Sequence, residues 1–205
     1  MTNLVIISGG LRQPSSTRLL ADRLERAVRA ELEALGHDVE SSFVELRPLG
    51  RAVMDAMLSG FPTPPLEEAF GTVGAADGVI AVTPAFNASF SGLFKSFFDV
   101  LPEGTLEDMP VLIAATGGTE RHSLVLEHAM RPMFSYLHAI VSPRGVYAAT
   151  GDFGTEDARS GALGNRVGAA AADYARLVRG CGARARREPG AEDFTPMERL
   201  LRGPA

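Results

Sequence analysis

Three short polar segments of the chain carry residue types that could bind a small anion or a flat ring. The first, 9–17, has paired glycines, one arginine and three hydroxyl side chains; the second, 83–87, reads Thr-Pro-Ala-Phe-Asn; the third, 115–119, reads Ala-Thr-Gly-Gly-Thr. Hydroxyls, a guanidinium and the N–H groups of a helix start can hold a dianion. Glycines let a planar ring approach the backbone. The first segment therefore suits a phosphate, and the other two suit a planar heterocycle.

Each polar segment directly follows a short apolar run that is typical of a buried strand. These runs cover 4–7, 79–82 and 111–115. In an open parallel sheet, the loops after neighbouring strands gather at one edge, where such folds bind their ligands. We therefore expect the three segments to border one site.

Strand and helix patterns alternate along the chain, which indicates an α/β fold. The apolar spacing predicts strands at 4–7, 38–46, 79–82, 111–115 and 140–147, the last of them broken at Pro143. It predicts helices at 20–35 with Gly36 as the C-cap, at 90–101, at 121–137 with an interruption at Pro132, and at 155–179. We predict a doubly wound parallel sheet of five strands in the order 2-1-3-4-5, with the serine-diluted second strand at an edge and helices on both faces.

The length of the chain fits one domain, which we expect over residues 1–180. The segment 61–65, rich in proline, is expected to be a surface excursion and not a boundary. Residues 181–205 are rich in Gly, Arg, Glu and Pro and are expected to form a flexible tail. The aromatic stripe of the helix at 90–101 is expected to be core, with a subunit interface as the alternative.

Composition argues against several classes of protein. The net charge of −5 disfavours general nucleic-acid binding, which needs clustered Lys and Arg. No apolar run approaches the ~20 residues that cross a bilayer, and the start of the chain lacks the basic region of a secretory signal. Cys181 is the single cysteine, and the four histidines form no His-Glu-x-x-His pair, so we expect no metal site. These observations predict a cytoplasmic, metal-free protein.

Each segment alone also has an ordinary structural interpretation. The first matches neither the Walker P-loop nor Gly-x-Gly-x-x-Gly, and it could be a helix start capped by Ser15 or Ser16. The second and third could be simple turns. Their shared position after neighbouring strands favours a common site. Its predicted phosphate-binding residues are Ser8, Arg12, Ser15, Ser16 and Thr17, and its predicted ring-binding residues are Pro84, Ala85, Phe86, Asn87, Thr116, Gly117, Gly118 and Thr119.

From Leu4 to about Gly154 the chain resembles the NADPH-dependent FMN reductase family, which has a flavodoxin-like fold. The segment 9–17 is similar to the family's phosphate loop, with Gly10 where serine is common. Residues 76–86 resemble the segment that places the flavin ring, with Phe86 where the family usually has tyrosine.

Two further stretches are similar to the family. Residues 91–95 match its Gly-x-Leu-Lys helix start, with Phe94 in place of leucine, and residues 115–132 look like the branch that supplies reduced FMN to two-component monooxygenases, including sulfonate-cleaving ones. Some members of that branch have tyrosine where His128 stands. The resemblance implies a homodimer or homotetramer and a flavin-dependent monooxygenase as partner.

The activity that the resemblance implies is hydride transfer from NADPH or NADH to FMN. The cofactors carry that chemistry, so no side chain is expected to act as a catalytic acid or base. Backbone amides of 116–119 would stabilise the reduced flavin, and Arg121, His122 and His128 are candidates for contacts to the nicotinamide or a subunit interface. Two alternatives are a reductase of quinones, azo compounds or metal oxyanions with tightly held FMN, and a non-enzymatic FMN-binding electron carrier.

Overall fold

The computed structural model describes residues 1–154 and 161–182. The strands in this part of the chain are β1 (Thr2–Ser8), β2 (Val39–Glu45), β3 (Gly78–Phe86), β4 (Ser89–Phe90), β5 (Pro110–Gly117), β6 (Ile140–Val141) and β7 (Val146–Ala149). The α-helices are α1 (Ser16–Ala34), α2 (Leu46–Ser59), α3 (Pro64–Gly74), α4 (Gly92–Val100), α5 (Arg131–Tyr136) and α6 (Ala162–Cys181).

The strands form one sheet in the order β2-β1-β3-β5-β6, in which β7 also pairs with β5 and β4 pairs with β3. The predicted central order and the edge position of β2 are confirmed. Two details of the prediction are wrong. The expected fifth strand is broken around Pro143 as predicted, but its two parts, β6 and β7, are separate short parallel strands with 142–145 between them. The added strand β4 is antiparallel, so the sheet has seven strands and is not wholly parallel.

Helices cover both faces of the sheet, as predicted. Alternate residues of β3 point to opposite faces, so Val79 joins the core that α2, α3, α4 and α5 cover, and Ile80 joins the core under α1 and α6. The aromatic residues of α4 lie in the first core. Phe94 and Phe97 are fully buried and Phe98 nearly so, which confirms the prediction that this stripe is core.

The ends of two helices follow from their capping residues. The hydroxyl of Ser15 accepts the backbone N–H of Arg18 at the start of α1, and Gly36 follows its C-cap with a φ of 86°. The hydroxyl of Ser91 accepts the N–H of Phe94, so α4 begins at Gly92 and not at residue 90 as predicted.

The predicted helix at 121–137 is not continuous. A short 3₁₀ turn at Glu120–His122 is followed by a π-helical segment at Leu126–Met130, which leads into α5. The N–H of Arg131 donates to the carbonyl of Leu126, five residues back. Pro132 has no N–H to donate, and it lies in the first turn of α5, where a proline is tolerated.

Tyr174 of α6 connects this helix to the middle of the sheet. Its buried hydroxyl lies 2.9 Å from the carbonyl oxygen of Val79 and 3.0 Å from that of Pro110, which belong to β3 and β5. Burial raises the pKa of this phenol well above its usual value, so it remains a donor.

Some predictions fall outside the described residues. The start of the helix predicted at 155–179 lies outside them, because residues 155–160 are not described. Most of the predicted tail, residues 183–205, lies outside them as well. In the described part of the chain, no helix is long and apolar enough to cross a membrane, and no cluster of three His, Cys, Asp or Glu could hold a metal ion.

Candidate functional site

The carboxyl ends of β1, β3 and β5 lie side by side at one edge of the sheet. Ser8 pairs with Val82, and Pro84 pairs with Thr116. The N–H of Gly9 donates to the carbonyl of Val82 at 2.8 Å, so the first segment leaves β1 directly beside β3. The structure therefore brings the three predicted segments to the same edge.

A pocket of about 240 Å³ opens at this edge against the first segment. Ser8, Arg12 and Ser15 line it, together with side chains from α1 and the end of β2. The N–H groups of Ser16 and Thr17, in the first turn of α1, have no acceptor within the helix, and the helix dipole adds positive potential there. Hydroxyls, a guanidinium and backbone donors around one cavity suit a phosphate dianion.

Gly10 has a steric role in this segment. A Cβ at this position would lie 2.2 Å from the Oγ of Ser15, the oxygen that caps α1. Any residue with a Cβ at this position would therefore collide with Ser15 in this conformation. Gly10 lets the chain turn tightly above the helix start and keeps the cap in place.

A buried hydrogen bond joins the first and third segments. The hydroxyls of Thr17 and Thr116 lie 2.8 Å apart, and both residues are 3% exposed. These residues are 99 positions apart in the sequence. The bond fixes the start of α1 against the end of β5.

Tyr147, which the site prediction missed, holds the third segment from the side of β7. Its hydroxyl donates to the carbonyl of Thr119 at 2.7 Å. Burial, with a smaller contribution from the Asp152 carboxylate, raises the pKa of Tyr147, so the phenol stays protonated and donating at neutral pH. A Cβ on Gly117 would lie 2.0 Å from that hydroxyl, whereas one on Gly118 would meet nothing within 4 Å. The position of Tyr147 at the end of the predicted fifth strand was the available signal.

The sequence predicts the second segment to be a loop, but most of it belongs to strand β3. Strand β3 continues through Phe86, and Asn87 and Ala88, both with positive φ, turn the chain back into β4. Pro84 is tolerated in the strand because β1 ends its pairing with β3 at Val82, so one side of the proline is unpaired. Phe86 and Asn87 are exposed at the hairpin tip, while Pro84 is buried and Ala85 half-buried.

Arg121, His122 and His128 are exposed on the segment after β5, and in the described part of the chain none of them lines the pocket. Beside His128, Glu127 forms an ion pair with Arg131, whose hydrogen bond holds the pKa of the Glu127 carboxyl below its usual value. The structure therefore does not join these three residues to the phosphate-binding part of the site.

Sequence reasoning also missed Asp22, Glu45 and Arg47, which line the pocket beside Arg18. Arg18 donates through Nε to Asp22 at 2.7 Å and through Nη1 to Glu45, and its guanidinium carbon lies 4.1 Å from the ring centre of Phe43. Glu45 and Arg47 stand at and beyond the end of β2, next to β1. Their place after an edge strand was the signal that could have found them.

Comparisons with known proteins agree on one family. Residues 2–154 match the family model described as NADPH-dependent FMN reductase. The chain is 38% identical over 169 residues to the NADH-dependent FMN reductase SfnE of Pseudomonas putida, covering 82% of this chain and 88% of that relative. It is 40% identical over 173 residues to the NADH-dependent FMN reductase SfnF of Pseudomonas fluorescens Pf0-1, covering 82% and 87%.

Solved structures share the fold of this chain. An oxidoreductase from Corynebacterium diphtheriae superposes with a TM-score of 0.82 at 44% identity, covering 88% of this chain and 98% of that one. The apo form of the NADH:FMN oxidoreductase EMOB superposes with a TM-score of 0.72 at 25% identity, covering 93% and 97%.

Proposed function

The chain belongs to the NADPH-dependent FMN reductase family, and from that membership we propose how its sheet edge serves the reaction. Its activity is that of an oxidoreductase that reduces FMN with NADPH or NADH. The meeting of three segments at one edge, fixed by the buried bond between Thr17 and Thr116, carries the proposal for the site.

The phosphate of FMN is held by the first segment in this proposal. Ser8, Arg12 and Ser15 line the pocket, and Ser16 and Thr17 lie in the first turn of α1. This donor set fits a dianion, because it combines side-chain hydroxyls, the guanidinium of Arg12 and outward-facing backbone N–H groups.

The isoalloxazine ring lies between the second and third segments in this proposal. Pro84, Ala85, Phe86 and Asn87 border one part, and the residues from Thr116 to Thr119 border the other. Two observations support this: Pro84 pairs with Thr116, and the Cβ position of Gly118 opens on empty space that a ring could occupy. Backbone N–H groups there would favour negative charge on the reduced flavin.

The chemistry belongs to the two nucleotides: bound FMN accepts a hydride from the nicotinamide ring. The protein contributes binding, orientation and exclusion of water, and no side chain transfers a proton in this proposal. Arg121, His122 and His128 are proposed to contact the nicotinamide nucleotide or a second subunit, since all three are exposed just after the third segment.

We also propose that the protein assembles as a homodimer or homotetramer and passes reduced FMN to a flavin-dependent monooxygenase. Large apolar side chains left exposed between β5 and β6 support an assembly, with Leu124 60% and Tyr136 83% exposed. We propose the cytoplasm as its location, because nicotinamide nucleotides are available there.

Oxidation of NADPH and NADH, measured with and without added FMN, tests the activity. We expect rapid oxidation only when FMN is added, with sequential kinetics in the two nucleotides. No oxidation with FMN present would contradict the activity and point to an electron carrier. Ping-pong kinetics with a quinone or azo acceptor, in a protein that purifies yellow, would favour the alternative reductase with retained FMN.

A further inference from the structure

The pocket proposed for the FMN phosphate has carboxylates in its wall. Asp22 and Glu45 line it together with three arginines, Arg12, Arg18 and Arg47. A dianion that enters the pocket therefore meets two negative charges as well as three positive ones. The balance between these charges sets how strongly the phosphate is held.

Arg18 is already occupied by the two carboxylates. Its Nε donates to Asp22, an Nη donates to Glu45, and the guanidinium lies over the ring of Phe43. Two carboxylates neutralise more than its single charge. The positive charge that remains for a phosphate comes from Arg12 and Arg47, both of which are exposed.

Glu45 contributes little to the stability of the fold in this arrangement. It stands at the N-cap of α2, but its side chain makes no capping hydrogen bond. Its side chain is 44% exposed, as is 36% of that of Arg18, and an ion pair this exposed adds little to stability. The carboxylate therefore matters chiefly for the potential of the pocket.

We propose that Glu45 weakens the binding of the FMN phosphate, by repelling the dianion and by occupying the guanidinium of Arg18, and so makes FMN a diffusible substrate in place of a retained cofactor. This inference rests on the proposed phosphate site. Asp22 acts in the same direction through the same arginine. A reductase that gives its reduced flavin to another protein requires such limited retention.

The test compares two carboxylates of β2. Glu45→Gln removes the charge at the pocket, and Glu40→Gln removes an exposed charge from the same strand away from it. Each variant and the unmodified protein are titrated with FMN and with riboflavin, which lacks the phosphate, by quenching of flavin fluorescence. We expect Glu45→Gln to lower the Kd for FMN about fivefold at low salt, the order of effect that one charge in a hydrated pocket wall has on a bound dianion.

The riboflavin arm identifies the cause. Riboflavin affinity should not change in Glu45→Gln, and the gain for FMN should shrink as salt rises, because the interaction is electrostatic. Glu40→Gln should leave both affinities unchanged, and more FMN should co-purify with Glu45→Gln than with the other proteins.

Two different failures remain distinguishable. If the unmodified protein binds FMN no more tightly than riboflavin, the proposed phosphate site itself is wrong. If it prefers FMN, but Glu45→Gln leaves the Kd for FMN unchanged or raises it, the phosphate site stands and the role of Glu45 is overturned. An equal gain for FMN and riboflavin would also overturn that role.

Discussion

The contact between Gly117 and Tyr147 gives a sharp prediction for the third segment. A Cβ on Gly117 would lie 2.0 Å from the Tyr147 hydroxyl, while ordinary contact begins at 3.4 Å, so Gly117→Ala must displace that hydroxyl by about 1.4 Å. The displacement removes the hydrogen bond to Thr119. Overpacking and the lost bond together outweigh the gain from replacing a strand glycine, and the net cost is about 2 kcal/mol. For a chain of this size the Tm should fall by about 4–8 °C.

The same change should be nearly harmless once the hydroxyl is gone. In a Tyr147→Phe background the nearest atom to the new Cβ is a ring carbon at 3.1 Å, which needs to move only a few tenths of an ångström. We expect Gly117→Ala to cost about 0.5 kcal/mol there, so that the double-mutant cycle gives a coupling of about 1.5 kcal/mol. Urea or thermal unfolding of the four proteins measures this directly.

The neighbouring glycine is the matched control. A Cβ on Gly118 meets nothing within 4 Å, so Gly118→Ala should leave the Tm unchanged. Because the ring of FMN is proposed to occupy that space, the same variant should bind FMN several-fold more weakly. Equal costs of Gly117→Ala in both backgrounds, or a Tm loss in Gly118→Ala as large as in Gly117→Ala, would refute the reasoning.

Three more predictions address the site. Arg12→Ala should raise the Kd for FMN about tenfold in fluorescence titration without changing the Tm, whereas Arg51→Ala, an exposed arginine of α2, should change neither; equal affinities would refute the role of Arg12. Thr17→Val should cost about 1–2 kcal/mol in urea unfolding because Thr116 keeps a buried hydroxyl without its partner, and Thr17→Ser should recover most of it. Burial raises the folded-state pKa of Tyr147 above the unfolded-state value of about 10. The contribution of this phenol to stability is therefore complete below about pH 10 and is lost as pH rises through the higher folded-state pKa, so Tyr147→Phe should show a smaller loss of Tm in this alkaline range.

Much of the sheet could be predicted because its strands are continuous apolar runs. The runs at 4–7, 79–82 and 111–115 lie in β1, β3 and β5. Each of these strands is buried and has a neighbouring strand on both sides, and central parallel strands of this kind are typically continuous apolar runs. The ends of α1 could also be predicted, from Ser15 at its N-cap and from Gly36, which follows its C-cap. The site edge followed from this order, because parallel strands share one carboxyl end.

The predictions that were wrong concern elements whose structure depends on contacts that local sequence patterns do not reveal. The hairpin after Phe86 has Asn87-Ala88 in place of the usual Asn-Gly, so its turn signal was weak. Pro84 suggested a loop, and only the early end of β1 makes room for it in a strand. The π-helical segment before Pro132 likewise depends on backbone bonding that spacing alone does not reveal.

The anchoring of Tyr174 has a consequence for how the protein is made. On one face of the sheet, Ile80 and Leu112 share their core with Leu163 and Tyr174 of α6. Ribosomes synthesise the amino-terminal part first. A nascent chain that ends before residue 162 lacks α6, so the apolar side chains beside α1 that α6 covers in the folded protein remain exposed. Folding of this face must then wait until α6 has been synthesised, and chaperones that bind apolar segments can act before that point.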